Sequence, residues 1–493
     1  AVKLLSEPWL TVSVPLGLQM GSNPGSITVQ GTGHQISPVS TTAGLQFNNT
    51  AVGLEVSSGN SLVLLGGNIN LEGGILTAPG GKIELGSVQP ESNSAFIGLR
   101  DENGLFTLDY DNNQELGKNQ LQQEALVNVS GIGTGGIWIE AQNLFLQNGS
   151  ALVWENQGSQ AGTGINIHTS DSVQLLEQSS RSFRSSIYSD AQNSASTGDI
   201  TISTGTFLMS EGAVIANRTF TSAVGSNITL SAREIQLRSP NSVANAISTR
   251  TLGSGAGGNL TVDTQRLIVD GRGGFSSNSN NASGRGGDLS INATESIDLV
   301  SGPDGIPGLA VISASTLGGT GNAGSVTINT GRLRIEKGAN ISSSTFGPGN
   351  GGSITVNASE SIDIAGTRTE PVTGFTGSSI IAEGFLVSPN IRRLFGLPDN
   401  VTGDGGDIII NTPKLQVRDG ADISVRHDDL GKAGSIVINA EGVTLKDRGL
   451  INASTTSGQG GSIDLILQDS LFLRSGSLIS TKAKGTGNGG NIP

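Results

Sequence analysis

Apolar and polar residues alternate in short bursts along most of this chain, and each burst follows a pair of small residues. Gly257-Gly258-Asn259-Leu260-Thr261-Val262 is followed by Gly286-Gly287-Asp288-Leu289-Ser290-Ile291, Ala323-Gly324-Ser325-Val326-Thr327-Ile328 and Gly351-Gly352-Ser353-Ile354-Thr355-Val356. The pattern continues at Gly405-Gly406-Asp407-Ile408, Ala433-Gly434-Ser435-Ile436, Gly460-Gly461-Ser462-Ile463 and Gly489-Gly490-Asn491-Ile492. The second glycines fall at 258, 287, 324, 352, 406, 434, 461 and 490, so neighbours lie 27 to 29 residues apart except for gaps of 37 and 54. Fainter copies run upstream at Gly25-Ser26-Ile27, Gly66-Gly67-Asn68, Gly80-Gly81-Lys82, Gly135-Gly136-Ile137 and Gly198-Asp199-Ile200.

Within one period Ile354 and Val356, then Ile362 and Ile364, alternate with Thr355 and Asp363. A period of two is that of a strand with one buried face. A fixed period of this length marks a stacked repeat, in which each unit buries its apolar face only against its neighbours. The expectation is an all-β chain, a right-handed parallel β-helix (solenoid) with coils of about 28 residues and inserted surface loops. Some 17 coils at about 4.8 Å each would make a rod of roughly 80 Å.

One polar position also repeats. Asn292, Asn329, Asn357, Asn411 and Asn439 follow the first strand of successive periods. Stacked amides can bond to one another along such a column, so a structural asparagine ladder is expected there. The two long gaps place insertions near Ser301 to Ala310 and Gly366 to Gly403. The second holds Phe375, Ile380, Ile381, Phe385, Leu386, Ile391, Leu394 and Phe395, and is expected to cover a flank of the rod. Residues 91–124, with Asp101, Glu102, Asp109, Asp111 and Glu115, interrupt the repeat.

Composition narrows the function classes. Charged residues make up 14% of the chain against roughly 25% in ordinary domains, and glycine supplies 74 positions. A net charge of -13 repels nucleic-acid phosphates, so no nucleic-acid partner is expected. The absence of cysteine removes disulfides, thiolate metal sites and cysteine nucleophiles. No apolar run of about 18 residues predicts an integral membrane span. His34, His168 and His427 sit in different periods and read as surface residues, and Gly403-Asp404-Gly405-Gly406-Asp407 lacks the nine-residue recurrence of calcium-binding repeats. No catalytic, cofactor or metal site is assigned.

The stretch Gly53-Leu54-Glu55-Val56-Ser57-Ser58-Gly59-Asn60-Ser61-Leu62-Val63-Leu64-Leu65-Gly66-Gly67-Asn68-Ile69, running on through Leu71-Glu72-Gly73-Gly74-Ile75-Leu76-Thr77-Ala78-Pro79-Gly80-Gly81, resembles filamentous haemagglutinin-type exoproteins, in the later half of their secretion domain. Gly21-Ser22-Asn23-Pro24-Gly25-Ser26-Ile27 fits the same place, and the downstream repeats resemble those of large cyanobacterial members. The resemblance implies two-partner secretion through an outer-membrane Omp85-type transporter barrel. It also implies an extracellular or outer-surface location and a role in adhesion or matrix contacts, with glycans or cell surfaces as candidate partners. The Asn-Pro-Asn-type motif of such domains is absent, so the chain is expected to be a fragment that starts past the beginning of that domain and stops within the repeats. The expected division is residues 1–90 as secretion domain, 91–128 as an irregular insertion or linker, and 129–493 as β-helix repeats. The alternative is a polysaccharide-degrading, pectinase-like β-helix, for which Asp298, Asp363 and Asp464 have suitable chemistry.

Overall fold

A computed structural model describes residues 16–38, 44–47, 52–90, 94–102, 105–110, 115–239, 243–370, 374–485 and 487–493. Two long parallel sheets of 16 and 15 strands run its length. The coil that starts at Ile354 shows how they are made. Strand Ile354–Ala365 pairs in parallel with Val326–Glu336 before it and Ile408–Arg418 after it. Its inward residues Ile354, Val356, Ile362 and Ile364 are buried, whereas Thr355 and Asp363 face outward. The register slips between Asn357 and Ser361, so this strand turns a corner and supplies two walls of the coil. Strand Ser379–Ile381 supplies the third wall, between Asn340–Ser342 and Asp422–Ser424 in the other sheet. The fold is a parallel β-helix.

The paired glycines of the repeat have a steric cause. A Cβ on Gly352 would stand 1.9 Å from the carbonyl oxygen of Gly324, and one on Gly406 would stand 1.9 Å from that of Gly352. Successive coils press backbone on backbone at this point, and only glycine fits. Inside, one apolar cluster runs unbroken from Leu62 to Ile463. Each fully buried leucine or isoleucine in it is worth about 1.5–3 kcal/mol.

Fourteen strands follow one another along the first sheet, from Ile27–Gln30 to Ile463–Leu473. Thirteen steps of about 4.8 Å give a stack of roughly 60 Å, shorter than the repeat count implies. The difference lies in residues used for covering elements. Hairpin Ile36–Pro38 with Leu45–Phe47 packs Ile36 and Leu45 on Ala151, Val153, Tyr188 and Val214, outside the second long sheet. A three-stranded antiparallel sheet of Gly17–Met20, Ala95–Glu102 and Leu105–Asp109 buries Ile97 and Leu108 together with Val88. Strands Lys82–Ser87, Ala151–Asn156, Ser186–Ala191 and Val214–Thr219 are consequently buried on both faces.

Within 91–128, residues 91–93, 103–104 and 111–114 lie outside the described residues, while Lys118–Gln122 and Leu126–Asn128 occupy places in the two long sheets. The 366–403 insertion also differs from expectation, because Ile380 belongs to the coil itself and is buried in the core. Thr367–Glu370 pairs with Gly374–Gly377 as a hairpin, and the side chain of Phe375 lies outside the described residues. The following helix, Pro389–Phe395, buries none of its residues, and Leu394 and Phe395 remain exposed. Arg368 ties the hairpin to the other insertion. Its guanidinium is buried and donates to the carbonyls of Pro303, Ile306 and Gly308.

Candidate functional site

Two regions carry organised polar side chains. The first is the covered N-terminal end. Lys82 and Glu84 lie on one strand and form a buried ion pair at 2.8 Å. The lysine ammonium also sits 4.3 Å from the centre of the Trp138 ring and donates to Thr107 Oγ1 at 2.6 Å. Burial raises the Glu84 carboxyl above the usual range, opposed by the Lys82 charge. One face further round, Arg218 meets Asp190 through two hydrogen bonds, the Nε to Oδ1 contact measuring 2.7 Å. Glu155, in register beside Asp190, accepts from the Leu45 amide of the covering hairpin at 3.1 Å. Burial, reinforced by the Asp190 charge, pushes its carboxyl up to about 7.

The second region is an open groove of about 680 Å³ where the downstream coils turn their first corner. Asn329 donates to Asn292 at 2.7 Å, Asn357 to Asn329 at 2.8 Å, Asn411 to Asn357 at 2.7 Å and Asn439 to Asn411 at 2.7 Å. All are bonds from Nδ2 to Oδ1 between successive coils. The column continues upstream, since Asn292 donates to Asp263 at 2.8 Å. Sequence reasoning missed Asp263, although it occupies the same place in its period. Four of these asparagines line the groove with the corner residues that follow them, among them Ser359, Thr412 and Ala440.

Residues 2–139 match the family model of the TPS secretion domain. The chain carries a two-partner-secretion domain. The match supports a two-partner-secretion exoprotein of the filamentous haemagglutinin type and implies a partner transporter in the outer membrane. Strands Gly17–Met20, Ala95–Glu102 and Leu105–Asp109, the hairpin at 36–47 and the Lys82–Glu84 pair all fall inside the matched segment. No curated protein and no solved structure matches the chain. Among the described residues no helix is long and apolar enough to cross a membrane.

Outside the TPS secretion domain, several sequence-singled residues have structural partners. His427 is not a surface residue. It is buried, its Nδ1 accepts from the Asp429 amide at 3.1 Å, and Nε2 donates to the Gly403 carbonyl at 2.9 Å. Within the secretion domain His34 is built alike, accepting from the Ile36 amide and donating to Gly149 O at 2.8 Å. Burial lowers its pKa. His168 is the exposed one, paired with Glu140. Asp404 and Asp407 of the glycine-aspartate stretch accept from the backbone amides of Lys432 and Ser435 at 2.9 and 2.7 Å, which makes them rungs of two further columns. Asp298 is held by Arg334 at 2.6 Å and Asp363 by Arg418 at 2.9 Å on an outward strand face. Asp464, in register with Val437, lies on the other wall of its coil and is not brought to them.

Proposed function

We propose that this exoprotein is a surface-displayed, adhesin-like structural rod, exported by an Omp85-type outer-membrane barrel and acting through contacts along its outer faces. The observation that carries the reading is the single core running from the TPS secretion domain into the downstream coils. A module that leads export and a rod built on it as one stack form a stiff extension, which suits presentation away from a cell surface. Low aromatic content and the absence of cysteine suit passage through a barrel as an unfolded chain. The non-enzymatic reading is supported by the aspartates of the rival hypothesis, since Asp298 and Asp363 are neutralised by arginines and Asp464 is remote from both. A paired acid and base for glycoside hydrolysis would instead flank one bond with differing proton affinities.

The test is expression of the protein with a secretion signal in cells with and without a two-partner barrel, followed by protease shaving. Barrel-dependent, protease-sensitive surface material is the expected result. Retention inside the cell beside a working barrel would overturn the reading, as would release of reducing ends from polysaccharides by the purified protein.

A further inference from the structure

The amide-lined groove is more than a structural seam. In Asn329, Asn357 and Asn411 each side chain gives one N–H to the asparagine before it and lends its carbonyl to the one after it. A primary amide has two N–H donors and two carbonyl lone pairs, so each rung keeps one donor and one acceptor unspent. These spare groups recur once per coil, about every 4.8 Å along the rod axis. Coils bearing Asn329 through Ile466 line the groove, which gives it a length of about 20 Å. Beside the amides lie apolar surfaces from Pro413 and the exposed Ile466, and Glu441 is the one ionisable side chain of the lining.

We infer that this groove binds a linear, neutral glycan laid parallel to the rod axis, about one sugar ring per coil. Vicinal hydroxyls both donate and accept, as the spare half of each amide does, and the apolar patches suit the C–H faces of sugar rings. The coil rise is comparable with the length of one pyranose unit. An extended peptide advances about 3.3 Å per residue and drifts out of step with the rungs. A sulfated or uronic-acid polymer would find no cation in the lining to meet its charge. The inference rests on the exoprotein reading in one respect, namely that this face is presented outside the cell.

The measurement is titration calorimetry of the purified full chain with β-1,4-linked gluco- and manno-oligosaccharides from dimer to octamer, with heparin and an unstructured peptide as controls. Affinity is expected to rise about ten-fold or more from dimer to pentamer and then level off. Ser359→Trp places a large ring in the groove from an exposed position outside the asparagine column, and should weaken binding about ten-fold with the melting temperature unchanged. Absence of binding by every neutral oligosaccharide, preference for heparin or peptide, or indifference to Ser359→Trp would each overturn the proposal. Binding in solution does not depend on export, so protease shaving of the same variant keeps failure of the groove separate from failure of the exoprotein reading.

Discussion

The coils near Asp190 and those near Asn411 share one backbone plan, yet they are held in opposite ways. In the first region the outer faces are covered, and charge is buried with dedicated partners such as Arg218 for Asp190 and Lys82 for Glu84. In the second the outer faces are open, ion pairs such as Arg334 with Asp298 stay wet, and the same amide-to-amide bond is repeated from coil to coil. A dedicated partner fixes which coil sits next to which, whereas a repeated contact lets any coil stack on any other. The N-terminal end thus specifies an order, and the downstream rod, outside the coils joined by Glu383 and Arg426, needs only a period.

The strongest test of that contrast removes one coil from each region. Deleting residues 436–462 joins Ser435 to Ile463, positions already equivalent in the stack, and cuts no buried ion pair. Stability in such a stack is close to a sum of units and interfaces, so the shortened protein should fold and melt within a few degrees of the parent. Deleting 165–199 removes Asp190 and Phe183, so that Arg218 falls against Glu155, the carboxyl that already anchors the covering hairpin through the Leu45 amide, and the packing under the hairpin is broken. That protein should lose its cooperative transition in circular dichroism. Equal tolerance of both deletions would remove the distinction.

Single substitutions sharpen the same point. Asp190→Ala strands a buried guanidinium and should cost about 3–5 kcal/mol in urea titration, because the desolvated charge loses its partner. Asp298→Ala cuts a pair whose arginine is about half exposed, and should cost no more than about 1 kcal/mol. Loss of comparable stability in both would mean that the outward pairs are less wet than their exposure implies.

Both regions also contain carboxyls whose proton affinity is raised by burial, and here they should behave alike. Glu155 is pushed up to about 7 by burial and the Asp190 charge. Glu383 is pushed up to about 7 by burial, with Arg426 and the Ser424 hydroxyl acting against the shift and Asp428 adding to it. Nearby Asp422 rises to about 8, through burial and the Glu383 charge. An unfolded chain releases these protons near pH 4. Between about pH 4 and 7–8 the folded state therefore holds protons that the unfolded state has lost, and stability falls as pH rises across that window. Hydrogen exchange of Ser379–Ile381 should quicken from pH 5 to 8 after correction for intrinsic rates, and Glu383→Gln should flatten the trend. A trend of opposite sign would contradict the raised affinities.

How much of this was legible in the sequence follows from range. The coil period and the inside-outside alternation of Ile354, Val356, Ile362 and Ile364 are local facts of a strand, and the asparagine column is visible because its members recur in one phase. The covering hairpin was not legible, because Ile36 and Leu45 are short apolar signals whose targets, Val153 and Tyr188, lie more than a hundred residues away. His34 and His427 were misread for the same reason. Each ring is satisfied by one local amide and one distant carbonyl, and a lone histidine in a sequence announces neither. Ile380 was assigned to an insertion because its three-residue strand is too short to show alternation. In the site, Asp263 was passed over because the column was traced by residue type and not by phase.

The smallest effect concerns the asparagine column itself. Asn411→Ala removes one bond to Asn357 and one from Asn439 while leaving the backbone ladder of its strand intact. The orphaned groups border an open groove and can turn to water, so the net cost should be near that of an ordinary exposed hydrogen bond, about 1 kcal/mol. The penalty should also be additive with that of Asn292→Ala, three coils away, since the two residues share no hydrogen-bond partner. If the double variant instead loses markedly more than the sum, the amides polarise one another along the column, and the downstream rod is a cooperative cable in place of a stack of interchangeable coils.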